Sequence, residues 1–119
     1  MILADTSVWV DHLRNGNHVL VDRLLNDQVA CHPLVIGELA YENLKRRDEL
    51  ISLLRALPFI DRVSDDEVLF FIEQHSLYGQ GLGLVDMHLL ASCTLSHTTL
   101  WTLDSRLHRA AEALGRQPD

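Results

Sequence analysis

The 119-residue sequence has little of what stabilises small secreted proteins or anchors proteins in membranes. Its two cysteines, Cys31 and Cys93, are far apart and outside any Cys-x-x-Cys spacing, so we expect buried thiols and neither a disulfide nor a zinc site. No apolar run approaches the length of a membrane span, and the N-terminus lacks the basic start and apolar length of a signal peptide. We therefore expect a cytoplasmic protein with no membrane contact.

Lysine is scarce too, because Lys45 is the only one among the 10 basic residues. The formal net charge of −7 argues against broad electrostatic binding to nucleic acid, which normally depends on a basic face. That objection weakens if divalent metal ions belong to the site, since they place positive charge where a phosphate must dock. The acidic surplus also suits a basic protein partner.

The composition, 47% hydrophobic and 23% charged, is typical of one globular domain, which we expect to span residues 1–119. Short apolar runs alternate with helical patterns, which favours an α/β fold with a parallel sheet. The predicted strands are 2–4, 29–32, 59–63 and 99–103. The predicted helices are 7–14, 18–26, 33–44, 49–57, 68–77, 105–114 and one with Asp86 in its first turn.

Two of the predicted strands are followed directly by an aspartate, Asp5 and Asp104. The carboxyl ends of neighbouring parallel strands meet at one sheet edge, where open α/β folds place their ligands. Either aspartate alone is more often a helix N-cap, so the cap remains the alternative for each. The pair makes a functional site at this edge a serious hypothesis.

Two further acids, Glu38 and Asp86, lie within strongly apolar helical stretches, where an unpaired carboxylate is costly to bury. Asp86 has an alternative partner in its helix dipole, and Glu38 has one in a solvated stripe with Glu42. Four acids with no matching basic residues nearby in sequence would repel one another unless a cation holds them. Oxygen ligands of this kind favour Mg²⁺ or Mn²⁺, which support phosphoryl transfer.

Other motifs have structural explanations. Ser64 and Glu67 match a capping box, which accounts for the acids between them. The glycine-rich run 79–83 follows no strand and precedes no Gly-Lys-Ser/Thr, so a P-loop is disfavoured. Of the seven histidines, only His88 and His108 lie near the acids in sequence, and we expect both on a solvent or helix surface rather than in a zinc site.

Four motifs, taken in order and spacing, resemble those of PIN-domain ribonucleases, and specifically of the VapC-type toxins of bacterial type II toxin–antitoxin pairs. They are Ile2-Leu3-Ala4-Asp5-Thr6-Ser7, Gly37-Glu38-Leu39, Gly83-Leu84-Val85-Asp86-Met87-His88-Leu89-Leu90-Ala91 and Leu100-Trp101-Thr102-Leu103-Asp104. Each motif alone is weak, and their combination is specific. One departure is Leu107, where the family often has Phe, which changes packing more than chemistry.

The resemblance implies an acidic site that holds Mg²⁺ or Mn²⁺ and hydrolyses RNA. Its expected catalytic and metal-binding residues are Asp5, Glu38, Asp86 and Asp104. Thr6 or Ser7 would support Asp5 by hydrogen bonding. The resemblance also implies a small parallel sheet of about four to five strands flanked by helices, as in an α/β/α sandwich. It further implies a homodimer, and an antitoxin, commonly basic in its DNA-binding part, that covers the active site.

Three arginines, Arg14, Arg106 and Arg109, are candidate RNA contacts, although each also suits an ordinary surface position. A catalytically weak binding module that acts through a protein partner remains the main alternative to a nuclease. A phosphatase would need a second acid where Ser7 stands, and a receiver-like phospho-acceptor would need a better placed lysine than Lys45.

Overall fold

The computed structural model describes all 119 residues, and a short parallel sheet forms its centre. β1 (Ile2–Ala4) lies between β2 (Val29–Ala30) and β3 (Thr99–Trp101), in the order β2-β1-β3. Ile2 pairs with Val29 on one side and with Thr99 on the other. All three residues of β1 are buried, because an apolar strand in the middle of a parallel sheet is covered on both faces.

Seven helices surround the sheet, which confirms the predicted α/β class. They are α1 (Thr6–Asn15), α2 (His18–Leu25), α3 (Pro33–Ala40), α4 (Arg47–Arg55), α5 (Asp65–Gln74), α6 (Leu84–Ser96) and α7 (Ser105–Ala113). α1 packs against β1 and α3, whereas α6 packs against α5, β3 and α7. No helix combines the length and the apolar character needed to cross a bilayer. Cys31 and Cys93 are buried free thiols, as expected.

The sheet has three strands rather than the predicted four to five, because residues 59–63 do not form a strand. Only Phe59 makes a parallel bridge, to Cys31. Cys31 N donates to Pro58 O at 2.7 Å, and Ile60 N donates to Cys31 O at 3.0 Å. Beyond that bridge, residues 61–62 are exposed and have no buried face that would keep them paired with the sheet.

α3 ends at Ala40, four residues before the predicted end at residue 44. The chain turns after it, since residues 41–43 are exposed and Arg46 adopts the left-handed conformation with φ 55°. Arg47 Nε donates to Ala40 O at 2.6 Å. A side chain from the start of α4 therefore satisfies a carbonyl that the end of α3 leaves free.

The predicted capping box at the start of α5 is confirmed. Ser64 Oγ accepts from Glu67 N at 3.1 Å, and Glu67 Oε1 accepts from Ser64 N at 3.0 Å. Both bonds satisfy backbone donors that the first turn leaves without partners. The capping box fixes where α5 begins.

Candidate active site

The candidate site lies at the carboxyl edge of the sheet, where β1 and β3 end as parallel neighbours. Asp5 directly follows β1, and its N donates to Trp101 O at 3.0 Å. Asp104 comes three residues after the end of β3 and caps α7. The parallel pairing predicted from the two strand ends is therefore present.

Asp5 is buried, with 7% of its surface exposed, and its carboxylate accepts three hydrogen bonds. Ser7 Oγ donates to Oδ1 at 2.5 Å, and Thr102 Oγ1 donates to Oδ2 at 2.5 Å. Val8 N also donates to Oδ1, at 3.3 Å, so Asp5 is the N-cap of α1. The cap and the functional role do not exclude each other, because the carboxylate serves the helix and also lies at the sheet edge.

Thr102 is part of this arrangement, although the sequence analysis did not single it out. Its Oγ1 donates to Asp5 and accepts from Asp104 N at 3.0 Å, which connects two of the predicted site residues. Leu103 N donates to Ser7 Oγ at 2.9 Å, which adds a second link. The available signal was a hydroxyl residue two positions before the acid, in register with buried Leu100.

Glu38, on α3, is linked by a hydrogen bond to Thr6, the residue that follows Asp5. Thr6 Oγ1 donates to Glu38 Oε1 at 2.7 Å. Both residues are half-buried, so the bond is shielded from some of the competition with water. Of the two hydroxyls expected to support Asp5, Ser7 bonds Asp5 directly, whereas Thr6 holds Glu38.

Asp86 and Asp104 lie in the first turn of α6 and at the N-cap of α7. Half-buried Asp86 accepts from Gly83 N through Oδ2 at 3.1 Å. Asp104 is exposed, and its Oδ1 accepts from Arg106 N at 2.8 Å and from Leu107 N at 3.3 Å. Each acid is therefore oriented by backbone donors through one oxygen, and the other oxygen makes no hydrogen bond within the chain.

The charges of three acids interact. Burial raises the pKa of Asp5, the bonds from Ser7, Thr102 and Val8 oppose that rise, and the charge of Asp86 adds to it. Burial also raises the pKa of Asp86, the Gly83 N–H opposes the rise, and the charge of Asp104 adds to it. The ion pairs of the chain involve Asp48, Asp65 and Glu112 only, so none of the four candidate acids has a basic partner.

The donor set fits a hard divalent cation by its chemistry, since all four side chains offer carboxylate oxygens. No group of three or more His, Cys, Asp or Glu side chains has an arrangement that would itself enclose a metal ion. Mg²⁺ is commonly held by one or two carboxylates, with water and substrate phosphate completing its shell. Asp86 and Asp104 each keep one carboxylate oxygen free of hydrogen bonds, which suits binding of Mg²⁺ by a few carboxylates together with water and phosphate.

The prediction that His88 lies on a surface is wrong, because it is 3% exposed on the buried face of α6. Burial lowers its pKa, and its Nδ1 has no hydrogen-bond partner. His32 is buried as well, with Nε2 3.1 Å from Ser92 Oγ, and burial lowers its pKa to about 4. His108 is partly exposed, as expected. The prediction for His88 failed because α6 is buried over most of its circumference, which leaves little solvent-exposed surface on the helix.

The three candidate arginines divide between two cavities. Arg106 and Arg109 line a cavity of about 480 Å³, here called the arginine groove, between α7 and residues 75–80. Arg14 lines a separate cavity of about 560 Å³ with Lys45 and Arg46. Of the two cavities, only the arginine groove is lined by the helix that Asp104 caps, α7.

Comparisons with known proteins agree with this architecture. Residues 2–113 match the PIN domain. Two relatives from Mycobacterium tuberculosis, strains CDC 1551 and H37Rv, are both named Ribonuclease VapC32 and are 47% identical over 116 residues, covering 97% of this chain and 94% of theirs. The crystal structure of PAE2754 from Pyrobaculum aerophilum has a TM-score of 0.62 at 16% identity, covering 98% of this chain and 96% of that one. This last likeness concerns the fold alone.

Proposed function

Because the chain belongs to the PIN-domain family and is a VapC-like ribonuclease, we propose that it is a divalent-metal-dependent endoribonuclease that serves as the toxin of a toxin–antitoxin pair. One observation carries the proposal. Asp5, Asp86 and Asp104 form a series of interacting carboxylates at the sheet edge, and no basic side chain pairs with any of them. Such a group gains stability from a bound cation and from a substrate that brings one.

In this proposal Asp5, Asp86 and Asp104 hold Mg²⁺ or Mn²⁺, and Glu38 completes the site or orients the attacking water. When bound, the cation supplies positive charge that acidifies water and stabilises the charge developing on a phosphodiester. The chain itself supplies orientation. Ser7 and Thr102 hold both oxygens of Asp5, and Thr6 holds one oxygen of Glu38.

The biological setting follows from the same family membership. We propose an RNA substrate, an antitoxin partner that is basic in its DNA-binding part, a homodimer and a cytoplasmic location, with residues 1–119 as a single domain. Exposed apolar side chains on α5 and α6, Leu69, Phe70 and Leu95, support an assembly larger than the monomer. The net charge of −7 supports a basic protein partner.

The test is cleavage of RNA by the purified chain with Mg²⁺ or Mn²⁺ and with a chelator. We expect activity with metal only, and its loss in Asp5→Asn and Asp104→Asn, because each change removes a carboxylate charge while nearly preserving shape. Asp22→Asn, at an exposed position on α2, is the matched control and should remain active. Circular dichroism would show that each variant is folded.

Full activity in either site variant with added Mg²⁺ would contradict the residue assignment. A wild-type chain that cleaves no RNA with any divalent metal, yet binds its antitoxin tightly, would favour the binding module instead.

A further inference from the structure

The arginine groove contains none of the four candidate acids and has had no role assigned so far. Arg106 and Arg109 contribute to it from α7, and His75 and Gln80 line its other side. Leu77 and Ala110 give it an apolar surface. With a volume of about 480 Å³ and both charged and apolar lining, it has the character of a binding site for part of a ligand.

The charges of the groove are of one sign. Arg106 and Arg109 are three residues apart on α7, so their side chains are neighbours on one face of the helix. Both are exposed, neither takes part in an ion pair, and no acidic residue lines the groove. On a chain with a net charge of −7, two unpaired guanidinium groups facing a cavity favour an anionic ligand.

The two segments that border the groove also contact candidate metal ligands. Arg106 N donates to Asp104 Oδ1 at 2.8 Å, so the wall formed by α7 begins at that acid. The guanidinium of Arg106 lies over Gly81, where a Cβ would be 3.0 Å from Nη1. Two residues later Gly83 N donates to Asp86 Oδ2 at 3.1 Å. Arg106 therefore places one end of the groove beside Asp104 and near the glycine segment that binds Asp86.

We propose that the arginine groove binds the backbone of single-stranded RNA next to the bond that is cut, with Arg106 and Arg109 contacting successive phosphates. This assignment rests on the ribonuclease function proposed above. Guanidinium groups suit phosphate oxygens because they donate two parallel hydrogen bonds. His75, whose ring lies 4.6 Å from that of Phe71, and Gln80 supply polar atoms for a sugar or base.

The test measures binding of a fluorescently labelled single-stranded RNA in the presence of a chelator, so that binding is separated from cleavage. Arg106→Ala and Arg109→Ala should each raise Kd about fivefold. Each should also reduce the slope of the logarithm of the binding constant against the logarithm of salt concentration by about 0.7. This is the value for one phosphate contact on a single strand. Arg109→Lys should keep most of that slope, because it keeps the charge.

Arg55→Ala is the matched control, since it removes an exposed arginine from the last turn of another helix, α4. It should leave Kd and the salt dependence unchanged. In cleavage assays with Mn²⁺, Arg109→Ala should raise KM much more than it lowers kcat. A large change in KM with a small change in kcat indicates weaker substrate binding, whereas a general structural defect would lower kcat as well.

The outcomes distinguish this assignment from the proposed function. A wild-type chain that cleaves RNA, with groove variants that bind as tightly and as salt-sensitively as it does, overturns the groove and leaves the nuclease intact. A chain that binds RNA through both arginines without cleaving it supports the groove and overturns the nuclease. A chain that neither binds RNA in the chelator nor cleaves it with Mn²⁺ overturns both.

Discussion

The carboxylate of Asp5 accepts hydrogen bonds from the first turn of α1 and from the residue that follows β3. Ser7 and Thr102 donate to its two oxygens, and Val8 N donates to one of them as the helix cap requires. These donors lower its pKa, but burial raises it more. Asp5 is therefore fixed in orientation and short of positive charge, which is the condition in which a carboxylate gains most from a nearby cation.

Thr102→Val is the sharpest test of that arrangement at the level of one residue. The change keeps the branched shape and removes the hydroxyl that donates to Asp5 and accepts from Asp104 N. We expect the free energy of unfolding to fall by about 2 kcal/mol, the value for a hydrogen bond to a charged group. RNA cleavage should fall about tenfold, since both acids lose a common support.

The pH dependence of cleavage separates this role from simple packing. The hydroxyl of Thr102 lowers the pKa of Asp5, so its removal should move the acid limb of the pH–rate profile to higher pH. Thr102→Ser keeps the hydroxyl and should retain the wild-type profile. An unchanged acid limb in Thr102→Val, whatever its stability, would show that the threonine does not tune Asp5.

At the scale of helices, the Thr6–Glu38 hydrogen bond joins the first turn of α1 to α3. Thr6→Val removes the donor to Glu38 Oε1 while keeping the side-chain volume. We expect kcat for RNA cleavage to fall with little change in KM, because Glu38 loses its position and the substrate groove is untouched. The loss of stability should be about 1 kcal/mol, as measured by urea unfolding.

Thr6→Ser is the control for this prediction, because it restores the donor with a smaller side chain. It should recover most of the wild-type kcat. If Thr6→Val were as active as the wild type, then Glu38 would not depend on this bond, and its inclusion in the site would lose its structural support.

Elements whose signals are local could be predicted from the sequence. The apolar run before Asp5 specified β1, and the capping box specified the start of α5. Asp86 was placed correctly in the first turn of its helix. Because β1 and β3 are parallel neighbours, two local patterns sufficed to predict that Asp5 and Asp104 share one edge.

Features that depend on distant contacts could not be predicted. His88 is buried because several elements cover α6, and residues 59–63 do not form a strand because only one bridge, from Phe59 to Cys31, joins them to the sheet. Thr102 matters through a bond to a residue 97 positions away. The arginine groove likewise exists only once α7 packs beside the segment that contains Gly81. Apart from the spacing of Thr102 before Asp104, none of these contacts leaves a periodic or spacing signal in the sequence.

For the molecule as a whole, the acidic site is a source of instability in the absence of a cation. The pKa values of Asp5 and Asp86 are raised in the folded state. Stability from these groups is therefore fully present below their unfolded-state pKa and is lost as pH rises through the folded values. As both carboxylates become charged with rising pH, their burial and mutual repulsion oppose folding.

Mn²⁺ should therefore raise the melting temperature more at about pH 7.5 than at about pH 4.5, where protons compete for the same oxygens. At a metal concentration 100 times Kd the gain is about 2.7 kcal/mol, which differential scanning fluorimetry resolves. Asp86→Asn should melt higher than the wild type without metal at the higher pH and should lose most of the response to Mn²⁺. Asp66→Asn, which changes an exposed acid in the first turn of α5, should respond as the wild type does. An equal response to Mn²⁺ in Asp86→Asn and Asp66→Asn would place any bound cation elsewhere on this acidic chain.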